Sequence, residues 1–155
     1  MDTVIQHTPK ALDDFAVMLW SGAPIDYIWE DVEPLLRQGE EYLAPHYSLA
    51  DVRTLLHGGR LVLWTAADQG GIVLVMLVEL TRFPGCEVAR ILYIGGSGVK
   101  KVLPMIDFLH LWARRQGVDR IEVTGRPGWL RLLEPEGYLF ESVTLVRDLG
   151  DVKEH

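Results

Sequence analysis

The sequence predicts an α/β fold, an α+β arrangement in which a central mixed, mostly antiparallel sheet carries helices on both faces. Three observations lead there. Residues 60–94 hold three apolar runs of strand length, "RLVLWTA", "GIVLVMLVEL" and "RFPGCEVARILYI", separated by short turns. An amphipathic segment then leads into a further strand, "VDRIEVTGRPG", so the chain returns through one helical crossover and the two flanking strands run parallel. With 155 residues, 48% of them hydrophobic and 24% charged, the composition suits one globular domain with a sizeable core.

Taken in order, "TVIQHTP" reads as a short first strand. Thr8 offers an N-cap and Pro9 a preset first helical residue, and Leu12, Phe15, Ala16 and Leu19 recur at helical spacing before Gly22, so a helix is expected here. "DYIWEDVEPLLRQGEEYL" continues with Ile28, Val32, Leu35 and Leu36 on one face, and Pro34 begins or kinks that helix. Ser48 and Asp51 form a capping box ahead of Leu49, Val52, Leu55 and Leu56, and Gly58-Gly59 ends the segment. Asp68-Gln69-Gly70-Gly71 is a hairpin turn and Pro84-Gly85 a second. The helix from about Val99 carries Val102, Leu103, Ile106, Leu109 and Ala113 on one stripe. "WLRLLEPEGY" reads as a short helix and "ESVTLVRDL" as a final strand, giving six or seven strands in all.

Several function classes recede on composition. The formal net charge is −7 and no basic block exceeds Lys100-Lys101, which argues against a nucleic-acid surface. The longest apolar run, Ile72–Val78, is far short of the roughly 20 residues that span a bilayer. "MDTVIQHTPK" has no features of a secretion signal, so a cytoplasmic location is expected. The lone Cys86 offers neither a disulfide nor a thiolate cluster, and no HExxH, CxxC or paired carboxylate points to a metal.

The stretch "ARILYIGGSGVKKVLPMIDF" carries the chemistry. A strand running through glycines into a helix leaves backbone N–H groups without intrahelical partners, and Lys100 and Lys101 add positive charge. Two readings stand side by side: a tight turn that needs positive φ, or an anion site built from Ile94, Gly95, Gly96, Ser97, Gly98, Val99, Lys100 and Lys101. The exposed dipole supplies about 0.3–1 kcal/mol, so such a site holds an anion weakly. The spacing is neither GxGxxG nor GxxxxGK[ST].

The order of elements together with this turn resembles the GNAT (N-acetyltransferase) superfamily over residues 48–147, preceded by a helical N-terminal part, 1–47, in one GNAT-like domain spanning 1–155. The resemblance implies a GNAT-like acyl-CoA N-acyltransferase fold, acetyl-CoA as cofactor, and a loop of the pattern [R/Q]xxGx[G/A] whose amides take the pyrophosphate. Laid on that pattern, Gly98 supplies the middle glycine, Gly95 stands where Arg or Gln is usual, and Lys100 where Gly or Ala is. The family's "YxxxGF" segment matches "LEPEGY", with Leu133 at the position of the tyrosine that protonates the departing thiolate. Tyr93 and Tyr138 are the displaced alternatives. The resemblance puts the general base on a strand carboxylate, Glu79 or Glu87, each of which also reads as solvated surface.

"LLHGGRLVLW", "WARRQGVDRIEVTGRPGWLRLLEPEGY" and "TLVRDL" are also similar to degenerate GNAT-like proteins encoded by tailed bacteriophages and prophages. Two functions follow. One is an acetyl-CoA-dependent N-acyltransferase acting on a small-molecule or protein amine; the other is a catalytically silent binding or assembly protein, a homo-oligomer or a virion-associated phage structural protein. Trp20, Tyr27, Trp29, Tyr42 and Tyr47 serve as core, as an acceptor pocket or as a dimer face under these readings.

Overall fold

A computed structural model describes residues 3–7, 15–98, 102–125, 128–150 and 152–153. They divide into two compact units, residues 1–125 and 126–155. The first unit is organised around a six-stranded sheet in sequential order: β1 (Thr3–His7), β2 (Ala16–Ser21), β3 (Leu61–Asp68), β4 (Gly71–Arg82), β5 (Glu87–Gly96) and β6 (Arg120–Val123). All neighbours pair antiparallel except β5 and β6, which run parallel as the helical crossover predicts.

Helices cover both faces of this sheet. On one side α1 (Trp29–Arg37), α2 (Glu40–Leu43) and α3 (Leu49–His57) bury Trp29, Val32, Leu36, Leu43, Leu49, Val52 and Leu56 against Leu61, Leu63, Val75, Leu77 and Tyr93. The alternation of β3 turns Val62 and Trp64 to the other side, where α4 (Val102–Arg115) brings Trp112 edge-on to Trp64 at 6.0 Å and buries Met105, Ile106, Leu109 and Ala113. The capping box forms as expected: the Asp51 N–H donates to Ser48 Oγ at 3.1 Å and the Ser48 N–H to Asp51 Oδ2 at 2.9 Å. Pro34 sits inside α1.

Two expectations are corrected. The helix expected from Thr8 to Leu19 is instead strand β2 over Ala16–Ser21, so the N-terminal part is not purely helical; residues 8–14 lie outside the described residues. The run "AVMLWS" satisfies both periods, and its alternating burial together with pairing to β1 and β3 decides for the strand. The final strand expected over "ESVTLVRDL" does not form. In the second unit, α5 (Gly128–Leu133) and a 3₁₀ turn (Glu134–Glu136) are followed by residues 138–148 without regular structure.

Candidate functional site

The features that set the site begin with a bulge. Along the β4–β5 ladder Leu77 faces Tyr93 and Val78 faces Ile91, so Leu92 has no partner and β5 bends there. The parallel ladder to β6 stops at the same place, with Ile91 opposite Val123 as its last rung. Beyond it β5 runs on to Gly96 past the end of β6 at Val123, with no strand beside it on that side among the described residues. A sheet edge that opens inside a fold presents backbone donors and acceptors to whatever enters it.

One rung before that end, on the face under α1–α3, lies a polar cluster in the first unit. Glu79 is only 6% exposed, and its carboxylate accepts from the Tyr47 hydroxyl and, at 3.1 Å, from Thr81 Oγ1. Arg90 stands directly across the ladder, with Nη1 3.8 Å from Glu79 and Nη2 3.3 Å from Glu122, which Arg120 also meets at 3.3 Å. The buried Nε of Arg90 has no hydrogen-bond partner among the described residues. A buried carboxylate needs such donors, since an unpaired one is costly to desolvate. Burial and the Glu79 carboxylate together push the Tyr47 hydroxyl above its ordinary range. Tyr47 is half-buried and links Glu79 to the surface.

The other expected catalytic residues go elsewhere. Glu87 pairs with Arg82 at 2.6 Å at the hairpin end and, by strand alternation from Glu79, projects from the opposite face, so the two carboxylates are not brought together. The Tyr93 ring is built into the core and its hydroxyl donates to the Leu35 carbonyl at 3.2 Å. Leu133 is buried. In the second unit, burial and the charge of Glu136 push Tyr138 up to about 12, which keeps its proton in place at neutral pH.

Each described glycine of the turn has a structural reason. A Cβ on Gly95 would lie 1.9 Å from the Tyr93 hydroxyl, and one on Gly39, across the ring, 2.1 Å from Tyr93 Cε1. The two glycines clamp the ring, which leaves no space at residue 95 for the Arg or Gln usual in the superfamily. Gly96 has φ +121° and a Cβ there would meet the Val73 carbonyl oxygen at 2.0 Å. Gly98 has φ +83°. The Ser97 N–H already donates to that same Val73 carbonyl, at 3.0 Å, whereas the Gly98 N–H has no partner among the described residues. Val99, Lys100 and Lys101 lie outside the described residues.

Sequence reasoning missed the cluster's composition. Glu79 was visible as a strand carboxylate, but Tyr47, Thr81, Arg90 and Glu122 join it only through the fold; the signal available was their polarity within apolar runs. His57 likewise finds a distant acid, with Nε2 2.9 Å from Asp26 Oδ1, which also receives Arg53 at 2.9 Å. These two hydrogen bonds hold the Asp26 carboxyl below its ordinary range. Among the described residues no three His, Cys, Asp or Glu side chains could hold a metal ion, and no helix is long and apolar enough to cross a membrane.

No protein-family model and no curated protein matches the chain. Solved structures do. It is similar to a ribosomal-protein-alanine N-acetyltransferase from Brucella melitensis biovar Abortus 2308, with TM-score 0.66 and 16% identity over 85% of this chain and 98% of that one. The fold is that of the GNAT acetyltransferases. A predicted acetyltransferase from Clostridium acetobutylicum, solved with acetyl-CoA, has TM-score 0.65 and 15% identity over 87% of this chain and 96% of its own. An aminoglycoside acetyltransferase from an uncultured soil metagenomic sample, in complex with sisomicin, has TM-score 0.64 and 10% identity over 88% and 97%. The GNAT fold thus comes with a sequence that has diverged widely from these neighbours.

Proposed function

We propose that the chain is an acetyl-CoA-dependent N-acetyltransferase whose acceptor is a small-molecule or protein amine. The observation that carries this reading is the coincidence of three features: the Leu92 bulge, the end of β6 pairing at Ile91, and the buried Glu79 cluster one rung away. The open edge of β5 suits an extended, amide-bearing ligand such as the pantetheine arm of acetyl-CoA, and the Gly98 amide suits a phosphate oxygen. That a neighbour of this fold was solved with acetyl-CoA supports the choice of ligand.

In this reading Glu79 is the base and Tyr47 its link to the acceptor. The ammonium proton passes through the Tyr47 hydroxyl to the carboxylate; the freed nitrogen attacks the thioester carbonyl, the C–N bond forms and the C–S bond breaks. The nitrogen gives its second proton to water and the departing thiolate takes one from water in turn, because Leu133 has none to give. Arg90 and Thr81 hold the carboxylate in place. The exposed dipole at the loop supplies about 0.3–1 kcal/mol, whereas micromolar binding needs about 8 kcal/mol, so affinity for acetyl-CoA is expected to be no better than high micromolar.

Leu133 and the engaged Ser97 amide favour a second reading, a silent GNAT-fold binding or assembly protein like those of tailed phages. Titration calorimetry with acetyl-CoA, and thiol release with a panel of amines, separate the two. Saturable binding, and transfer that falls at least tenfold in Glu79→Gln with the protein still folded, supports the enzyme. No heat and no thermal shift leaves the silent reading.

A further inference from the structure

Arg90 stands between two carboxylates. It faces Glu79 across the β4–β5 ladder and Glu122 across the β5–β6 ladder, so three strands set a carboxylate, a guanidinium and a carboxylate side by side on one face of the sheet. The two pairings are unequal. Arg90 Nη2 donates to Glu122 Oε1 at 3.3 Å, whereas Nη1 lies 3.8 Å from Glu79 Oε1, beyond hydrogen-bond reach. Glu79 is held instead by neutral donors, the Tyr47 hydroxyl and Thr81 Oγ1. Arg90 Nε has no hydrogen-bond partner among the described residues, so no bond at the root of the guanidinium fixes its tilt.

We infer that Glu122 is a positioning residue for Glu79: it holds the Arg90 guanidinium toward β6 and so keeps a charge-assisted hydrogen bond off the carboxylate that takes the proton. The inference rests on Glu79 as the base. A carboxylate that accepts from a guanidinium is stabilised in its charged form and takes up a proton less readily, which makes it a weaker base. Glu122 competes for the same guanidinium, and its other oxygen meets Arg120 Nε at 3.3 Å. Around Glu79 also stand the Tyr47 hydroxyl, already bound to it, and Arg60, whose charge acts on Tyr47 and whose neighbour Leu61 pairs with Glu79 from β3.

Carbon-13 NMR of the Glu79 side-chain carboxyl through a pH titration reads this without any transfer reaction. Glu122→Gln is expected to release Arg90 onto Glu79 and move the titration midpoint down by about one pH unit. The acid limb of the pH–rate profile for thiol release moves down with it, and the plateau rate falls. Glu122→Asp, which keeps the charge but shortens the reach to Arg90, moves both the same way, and in an Arg90→Met chain Glu122→Gln moves neither. Circular dichroism checks that each variant folds, and Glu122→Asp decides alone if Arg90→Met does not. No downward shift in Glu122→Gln overturns the inference. So does a shift that survives in Arg90→Met, or one that Glu122→Asp lacks, since Glu122 then acts by its own charge and not through Arg90. The expected carboxyl shifts in a chain that acetylates no amine keep the hold of Glu122 on Arg90 and overturn the acetyltransferase reading instead.

Discussion

Gly95→Ala puts the core around Tyr93 to a direct test. The new methyl would sit 1.9 Å from the Tyr93 hydroxyl and 2.3 Å from Cζ, while Gly39 blocks the ring from the other side, so the ring cannot swing away. Residue 95 is not at positive φ, so backbone strain adds nothing and the cost is overpacking, about 3 kcal/mol. Tyr93→Ala alone empties the space and loses the bond to the Leu35 carbonyl, costing about 4 kcal/mol. The double variant then costs about 4 kcal/mol rather than 7, because the alanine methyl no longer meets a ring. Urea denaturation of the four proteins measures this coupling. If Gly95→Ala costs under about 1 kcal/mol, or the two costs add, the clamp around Tyr93 is not what requires glycine at 95.

Gly96→Ala combines positive φ with a backbone contact at 2.0 Å and is expected to lose more than about 3 kcal/mol in the same assay, with no second-site rescue because the opposing atom is a carbonyl. Ser48→Ala breaks the capping box of α3 and lowers stability by about 1 kcal/mol, read as a shift in the denaturation midpoint at unchanged slope. Tyr47→Phe removes a donor from buried Glu79 and costs about 1–3 kcal/mol, a loss that Glu79→Gln in the same chain reduces. Tyr138 has a folded pKa of about 12 against an ordinary 10.0, so its contribution is complete below pH 10 and is lost as pH rises from 10 through 12. Ultraviolet titration of tyrosinate, compared with Tyr138→Phe, checks the sign.

The sequence by itself determined the elements whose local signals agree. The strands of 60–94, the Ser48 capping box, the crossover helix and the parallel return at Arg120 were legible because period, turn chemistry and length all point the same way. It also placed Glu79 on a strand. Tertiary structure decided where local signals are ambiguous: Ala16–Ser21 fits either period until β1 and β3 flank it. It decided the site as well, because the Leu92 bulge is a mismatch between two ladders and is written in no single residue. Tyr47 lies 32 residues from Glu79, and Arg90 reaches it only across the β4–β5 ladder. The glycines at 95 and 39 look like turn residues in the chain; only the packed Tyr93 ring shows that they are space. Periodicity is local and survives in sequence, whereas coincidence in space arises only when strands pair, and the candidate site depends on the second.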